Sequence, residues 1–238
     1  MQHCSMRRNT VRDGLKCSGG ALIVSAASTA ELVDTELSSN IAFGGRIGAF
    51  GGAVCVGDNS SLRLLRSTLA RNVADGSNGT SSFAYGGAVF IGDESFGEAS
   101  ESEIVENVAR AALSYPLGGA FYVENRARLV LTTCKVNRNV ADGGSYSFNP
   151  GGGAINLDNV VGEIVDCELL ENIARGGTYA NGGNVPQTSE YVPSVYTPRT
   201  VCVGASIGSL ACRCHVCFLF ETKDERLVGQ PKPSRGRR

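Results

Sequence analysis

Three groups of residues in this chain have the types and spacing to do chemistry. The first is Cys212, Cys214, His215 and Cys217, a C-x-C-H-x-x-C cluster close to the C-terminus. Structural zinc sites use four Cys or His ligands, usually as two separated pairs. Here the ligands crowd into one short run and no second pair follows, so no metal is expected. The C-x-x-C within it lacks the βαβ setting of a redox motif, and no cofactor is implied. Cys134 and Cys167 share one column of the repeat set out below, at a separation a disulfide tolerates. Small residues fill that column elsewhere (Thr35, Ser67, Ser102, with Cys4 ahead of them), so two packed free thiols are expected.

The second group is acidic: Asp58, Asp93, Glu124 and Asp158 recur at one position of the repeat. Stacked carboxylates suit calcium, or the paired acids of a glycosidase. Asp and Gly are also ordinary turn residues, and Gly57-Asp58 and Gly92-Asp93 read as turn punctuation. No catalytic residue is assigned. His3 and His215 both lie outside the repeats, which leaves no histidine for a triad there. The third group is aromatic: Phe50, Phe83, Tyr85, Tyr115, Tyr146, Phe148 and Tyr179 stand in the variable corners before each Gly-Gly pair. Stacked one coil apart, they would line a strip suited to sugar rings or to a protein partner. The plainer alternative is that they fold back and fasten their own loops. Asn59-Ser60-Ser61 and Asn78-Gly79-Thr80 match the N-glycosylation tripeptide, a short pattern that chance also supplies.

What positions these residues is a five-fold repeat. Gly-Gly-Ala plus an aliphatic segment starts at Gly19, Gly51, Gly86, Gly118 and Gly152, and Asn-x-Ala follows at Asn40, Asn72, Asn107, Asn139 and Asn172. The first Gly and the Asn are 21 residues apart in four units and 20 in the fifth, whereas the stretch from each Asn to the next Gly-Gly varies from 10 to 14. A period in this range marks a solenoid whose units bury their apolar faces against one another, with insertions confined to one corner. Aliphatic pairs such as Val54/Val56 and Val89/Ile91 alternate around an unrestricted residue, giving a short strand with one buried face. Two further apolar columns run through Leu32, Leu64, Ala99, Leu131, Ile164 and through Leu37, Leu69, Ile104, Val136, Leu169. Three strands per coil are therefore expected, too compact for a crossover helix in each unit.

The charges agree with a stack. Arg71, Glu106, Arg138 and Glu171 alternate in sign from unit to unit, and Asp75, Arg110, Asp142 and Arg175 alternate in the opposite phase. Equivalent positions of parallel strands lie about 4.8 Å apart, where opposite charges attract. The asparagines form a second column, read as a ladder of buried amides that holds a turn. The expected fold is all-β: a right-handed parallel β-helix of about five coils of roughly 32 residues, its hand following the rule for parallel crossovers.

This β-helix is expected to span residues 1–184, starting in mid-repeat, since Asn9-Thr10-Val11 occupies the Asn-x-Ala position. A first coil without its opening strand presents an uncapped edge, open to end-to-end association. Pro186, Pro193 and Pro198 mark 185–200 as linker or loop, and 201–238 reads as a cysteine-containing, basic, disordered tail. Across all 238 residues the formal net charge is −1, which excludes a general electrostatic pull toward nucleic acid. No run approaches the ~18–20 apolar residues of a membrane span. Arg7, Arg8, Arg12 and Lys16 before Ala21–Ala27 imitate a signal peptide, but Gly19–Val24 is in register with four other copies and is read as repeat.

Gly152-Gly153-Ala154-Ile155, with Leu, Val or Phe replacing Ile elsewhere, and Leu37-x-x-Asn40, Leu69-x-x-Asn72, Ile104-x-x-Asn107, Val136-x-x-Asn139 and Leu169-x-x-Asn172 resemble the G-G-A-I and F-x-x-N repeats of the polymorphic outer-membrane protein (Pmp) family. Phe is replaced in all five copies of the second motif. The resemblance covers about residues 1–184 and implies a right-handed β-helix displayed at a cell surface or secreted as part of a longer protein. It implies adhesion, with a glycan or a cell-surface protein as partner. Fold alone does not choose function, and β-helices also carry pectate-lyase-like polysaccharide lyases and glycoside hydrolases. An enzyme site would interrupt the repeat with acids and bases. The interruptions here are rich in Gly, Ser and aromatics, which favours a non-catalytic binding module.

Overall fold

The computed structural model of the chain describes residues 1–12, 14, 16–45, 47–77, 83–112, 115–144, 151–158 and 160–176, and the backbone of 201–204. Tyr146, Phe148, Tyr179, the second glycosylation tripeptide and the Cys212–Cys217 cluster lie outside these residues. The described chain winds as a parallel β-solenoid of about five turns, with no helix among the described residues. Among the described residues no helix is long and apolar enough to cross a membrane.

The coils that begin at Gly19, Gly51 and Gly86 each carry five strands rather than the three expected. In the coil that begins at Gly51 they are Val54–Val56, Ser61–Leu65, Thr68–Ala70, Val73–Asp75 and Phe83–Tyr85. Stacked in register on their neighbours, they build five parallel sheets, here called first to fifth in that order. The fourth and fifth sheets escaped the sequence reading because their inward residues are alanines. Ala42, Ala74, Ala109 and Ala141 line the fourth, Ala49 and Ala84 the fifth, and all are fully buried. Alanine does not register as an apolar column, yet it fills a narrow space. The coil accordingly has a wide lobe, where sheets one to three close over Leu32, Leu64, Val89, Ile104, Leu131 and their neighbours, and a narrow lobe packed with alanines.

The Gly-Gly-Ala motif makes the waist between the lobes. The first glycine of each pair has φ between +57° and +68°, a conformation costly for any residue with a Cβ. A Cβ on the second would lie 2.5 Å from the backbone of the fourth sheet: from Val73 at Gly52, from Val108 at Gly87, from Val140 at Gly119. The two backbones touch there, and only glycine leaves room. The Ala that follows (Ala53, Ala88, Ala120) then points into the wide core.

Two ladders fix the register. Each Asn Oδ1 accepts from both the backbone N–H and the Nδ2 of the Asn one coil earlier, as Asn107 does from Asn72 at 3.0 and 2.9 Å. Each Nδ2 also donates to the carbonyl three residues before the previous Asn, as Asn107 does to Leu69 at 3.0 Å. The hydrophobic-x-x-Asn spacing is thus a hydrogen-bond requirement. The series runs unbroken from Asn9 to Asn172. On the surface the charge columns close as ion pairs: Arg71–Glu106 at 3.7 Å, Glu106–Arg138 at 3.2 Å, Asp75–Arg110 at 3.6 Å and Asp142–Arg175 at 3.1 Å. Beyond the repeats, Val201–Gly204 pairs antiparallel with Val161–Val165 at the edge of the second sheet.

Candidate functional site

The middle residues of the first sheet, Ile23, Cys55, Phe90, Tyr122 and Asn156, are in line and face away from the wide core. Ser18, Phe50, Tyr85 and Leu117 are likewise in line on the fifth sheet. The Gly-Gly bend turns these two outer faces toward each other. Phe50, Phe90 and Tyr122 are buried there, with Cys55, Tyr85 and Leu117 packed against them, as a cluster separate from the main core.

The rings touch in sequence across the coils. Phe50 meets Tyr85 edge-on at 5.4 Å between centroids and Phe90 edge-on at 5.3 Å. Tyr85 stacks on Tyr122 at 4.3 Å and on Phe83 at 5.4 Å. Such contacts add about 0.5–1.5 kcal/mol each beyond burial, so the strip also fastens the fifth sheet to the first.

Polar groups fringe both ends of the strip. At the first coil the Lys16 ammonium lies 5.5 Å from the Phe50 ring centre, a cation–π distance. At the other end the Tyr122 hydroxyl donates to Asp158 Oδ2 at 3.1 Å. Glu124 is the register partner of Asp158 one coil on. Burial pushes the Glu124 carboxyl above its ordinary range, and the charges of Asp158 and Asp93 push the same way, while the nearby Tyr122 hydroxyl and Lys16 ammonium oppose the shift. Burial also raises the Tyr85 hydroxyl to about 12 and the Cys55 thiol to about 11, so both stay protonated at neutral pH.

Of the aromatics picked out in the sequence, the structure brings Phe50, Phe83 and Tyr85 together, on strands of the fifth sheet rather than in corner loops. The extra strand appears because the residues before each Gly-Gly pair in register, with Ala49 and Ala84 pointing inward. Phe83 and Tyr85 remain half-open to solvent, and Tyr115, at 39% exposure, lies at the rim. Sequence reasoning missed Phe90 and Tyr122. They occupy the unrestricted middle position of the Gly-Gly-Ala strand, and their aromatic character in two successive coils was the available signal. Among the acids, Asp58 sits at a turn with φ 56°, and Asp93 pairs with Arg126 at 3.3 Å. Only Glu124 and Asp158 adjoin the rings. The asparagines Asn40, Asn72, Asn107, Asn139 and Asn172 are buried, and their amides meet one another and backbone.

Comparison with protein-family models, with curated proteins and with solved structures gives no match.

Proposed function

We propose that this chain is a non-catalytic binding module of a surface or secreted protein, taking a glycan along the groove between its first and fifth sheets. The observation that carries this reading is the aromatic strip. It crosses successive coils, keeps Phe83, Tyr85 and Tyr115 accessible, and has carboxyls and an ammonium at its ends. Ring faces suit the C–H faces of sugars, while carboxylates and a lysine take hydroxyls. The likeness of the repeats to Pmp sequences supports adhesion and an extracellular setting. A glycan array tests the reading. Binding should fall at least tenfold in Tyr85→Ala and in Phe83→Ala. Tyr85→Ala should also melt lower because it loses three ring contacts, so both are assayed well below their melting transitions, and binding equal to the parent's in both variants would refute the reading.

One observation favours a second reading, a polysaccharide lyase or glycoside hydrolase. Glu124, whose carboxyl burial pushes upward, and Asp158 stand one coil apart beside the rings, two acids close enough to work as a pair. Incubation with neutral polysaccharides and polyuronates separates the two. Turnover that Glu124→Gln abolishes would replace the binding reading with an enzymatic one.

A further inference from the structure

The fifth coil has a weak seam on the third sheet. Coils one to four each contribute a three-residue strand there, ending with Lys135–Asn137. The fifth meets that strand through one bridge, Lys135↔Glu168, and past it the strand ladder gives way to side-chain bonds, Leu170 N–H donating to Asn137 Oδ1 at 2.8 Å and Asn172 Nδ2 to Val136 O at 2.7 Å. Val136 N–H donates to Glu168 O and Glu168 N–H to Cys134 O, both at 2.8 Å.

Two cysteines face each other across this seam. In the same corner of earlier coils a hydroxyl accepts the backbone N–H from the coil before, as Ser67 Oγ does from Thr35 at 3.1 Å and Ser102 Oγ from Ser67 at 3.0 Å. Cys134 N–H donates to Cys167 Sγ at 3.2 Å, so sulfur has taken over the hydroxyl's task. A serine would serve that purpose equally. What sulfur adds is the capacity to bond to the sulfur one coil away.

The geometry permits it. In-register neighbours of parallel strands lie about 4.8 Å apart, inside the 4.4–6.8 Å Cα range of disulfides. Both cysteines are free thiols, and the Cys134 backbone N–H lies 3.2 Å from Cys167 Sγ, while the Cys134 thiol donates to Ala99 O and Thr132 O and the Cys167 thiol to Val165 O. Both occupy a corner between strands, where backbone can adjust more readily than inside a ladder. Access is asymmetric: Cys134 is buried and Cys167 half-exposed. The neighbouring Cys134 thiol brings the Cys167 thiol down to about 7, while Cys167 together with burial pushes the Cys134 thiol up. The accessible sulfur is therefore also the better nucleophile at neutral pH.

We infer that Cys134 and Cys167 are an oxidation-driven staple between the fourth and fifth coils, closed by exchange with a small-molecule disulfide. The Cys167 thiolate attacks one sulfur of that disulfide and releases the other as a thiolate, which takes up a proton. Cys134 then loses its proton, attacks the Cys167 sulfur of the mixed disulfide and expels the second small thiol. Two protein thiols and one disulfide become one protein disulfide and two small thiols. The staple closes a loop of 33 residues and fastens the coil that the third sheet holds least.

The test treats the full chain with glutathione disulfide at pH 7.5, then maps alkylated peptides and records thermal melting. A peptide cross-linked between Cys134 and Cys167 is expected, with a melting rise of about 5–10 °C that dithiothreitol reverses. Cys134→Ser and Cys167→Ser should each fold, since Ser67 and Ser102 hold the same position, and each should lose the rise. Recovery of both cysteines as separately alkylated or glutathionylated peptides would overturn the inference. So would a melting rise that persists in Cys134→Ser.

Discussion

Replacing Asn107 by Asp tests the amide ladder at its centre. The two side chains have the same shape, but Asn107 Nδ2 donates to Leu69 O and Asn139 Oδ1, at 3.0 and 2.9 Å, and a carboxylate donates nothing. The variant would place a buried negative charge against two acceptors that have lost their donor. Four hydrogen bonds meet at the Asn107 amide, counting those accepted from Asn72. At about 1 kcal/mol each, truncation to Ala should cost about 4 kcal/mol, more where a buried group is left unpaired. That is a large share of the ~5–15 kcal/mol of a typical domain. Asn107→Asp should cost at least as much as Asn107→Ala, despite keeping the shape. Urea unfolding followed by far-UV circular dichroism measures both. An Asp variant within about 1 kcal/mol of the parent would show that packing rather than donation holds the turn, and the ladder argument would fail.

Gly87→Ala should prevent native folding, because its Cβ would lie 2.5 Å from Val108 backbone; a native-like melting curve would contradict the backbone contact. Thr133 has φ 53°, an unfavourable place for a β-branched residue, and Thr133→Gly should raise stability by up to about 1 kcal/mol in the same urea assay. Glu124 is raised in the folded state, so the fold binds its proton more tightly than the unfolded chain does. Its contribution therefore falls as pH rises from about 4.5 toward the folded value. Glu124→Gln should melt higher than the parent at pH 7, with the difference shrinking toward pH 4, as calorimetry across that range would show.

The wide lobe was legible in the sequence because large aliphatic residues at Leu32, Leu64, Leu37 and Leu69 mark their columns by type. The narrow lobe was not, because Ala42 and Ala74 carry no comparable signal and gain their role only where Gly52 draws two backbones into contact. The candidate site suffered from the same gap. Phe50 and Tyr85 were recognisable as aromatics before a Gly-Gly pair, but without the fifth sheet they were assigned to loops. Phe90 and Tyr122 fall at the unrestricted middle position of their strands, which alternation places opposite the main core. Which outer faces a solenoid turns toward each other depends on the bend between sheets, and that bend arises from the left-handed conformation at Gly51 and Gly86.

The alternating charges carry a consequence for how such an array changes length. Geometrically the repeat is one coil, since every coil presents the same amide and the same glycines to the next. Electrostatically it is two coils, because Arg71 faces Glu106 and Glu106 faces Arg138. Excising the single coil from Gly86 to Leu117 would leave every amide matched but set Arg71 against Arg138 and Asp75 against Asp142. Excising or duplicating two coils would leave both columns alternating. Parity therefore enters as a selection rule: arrays of this type should gain and lose coils more readily in pairs than singly.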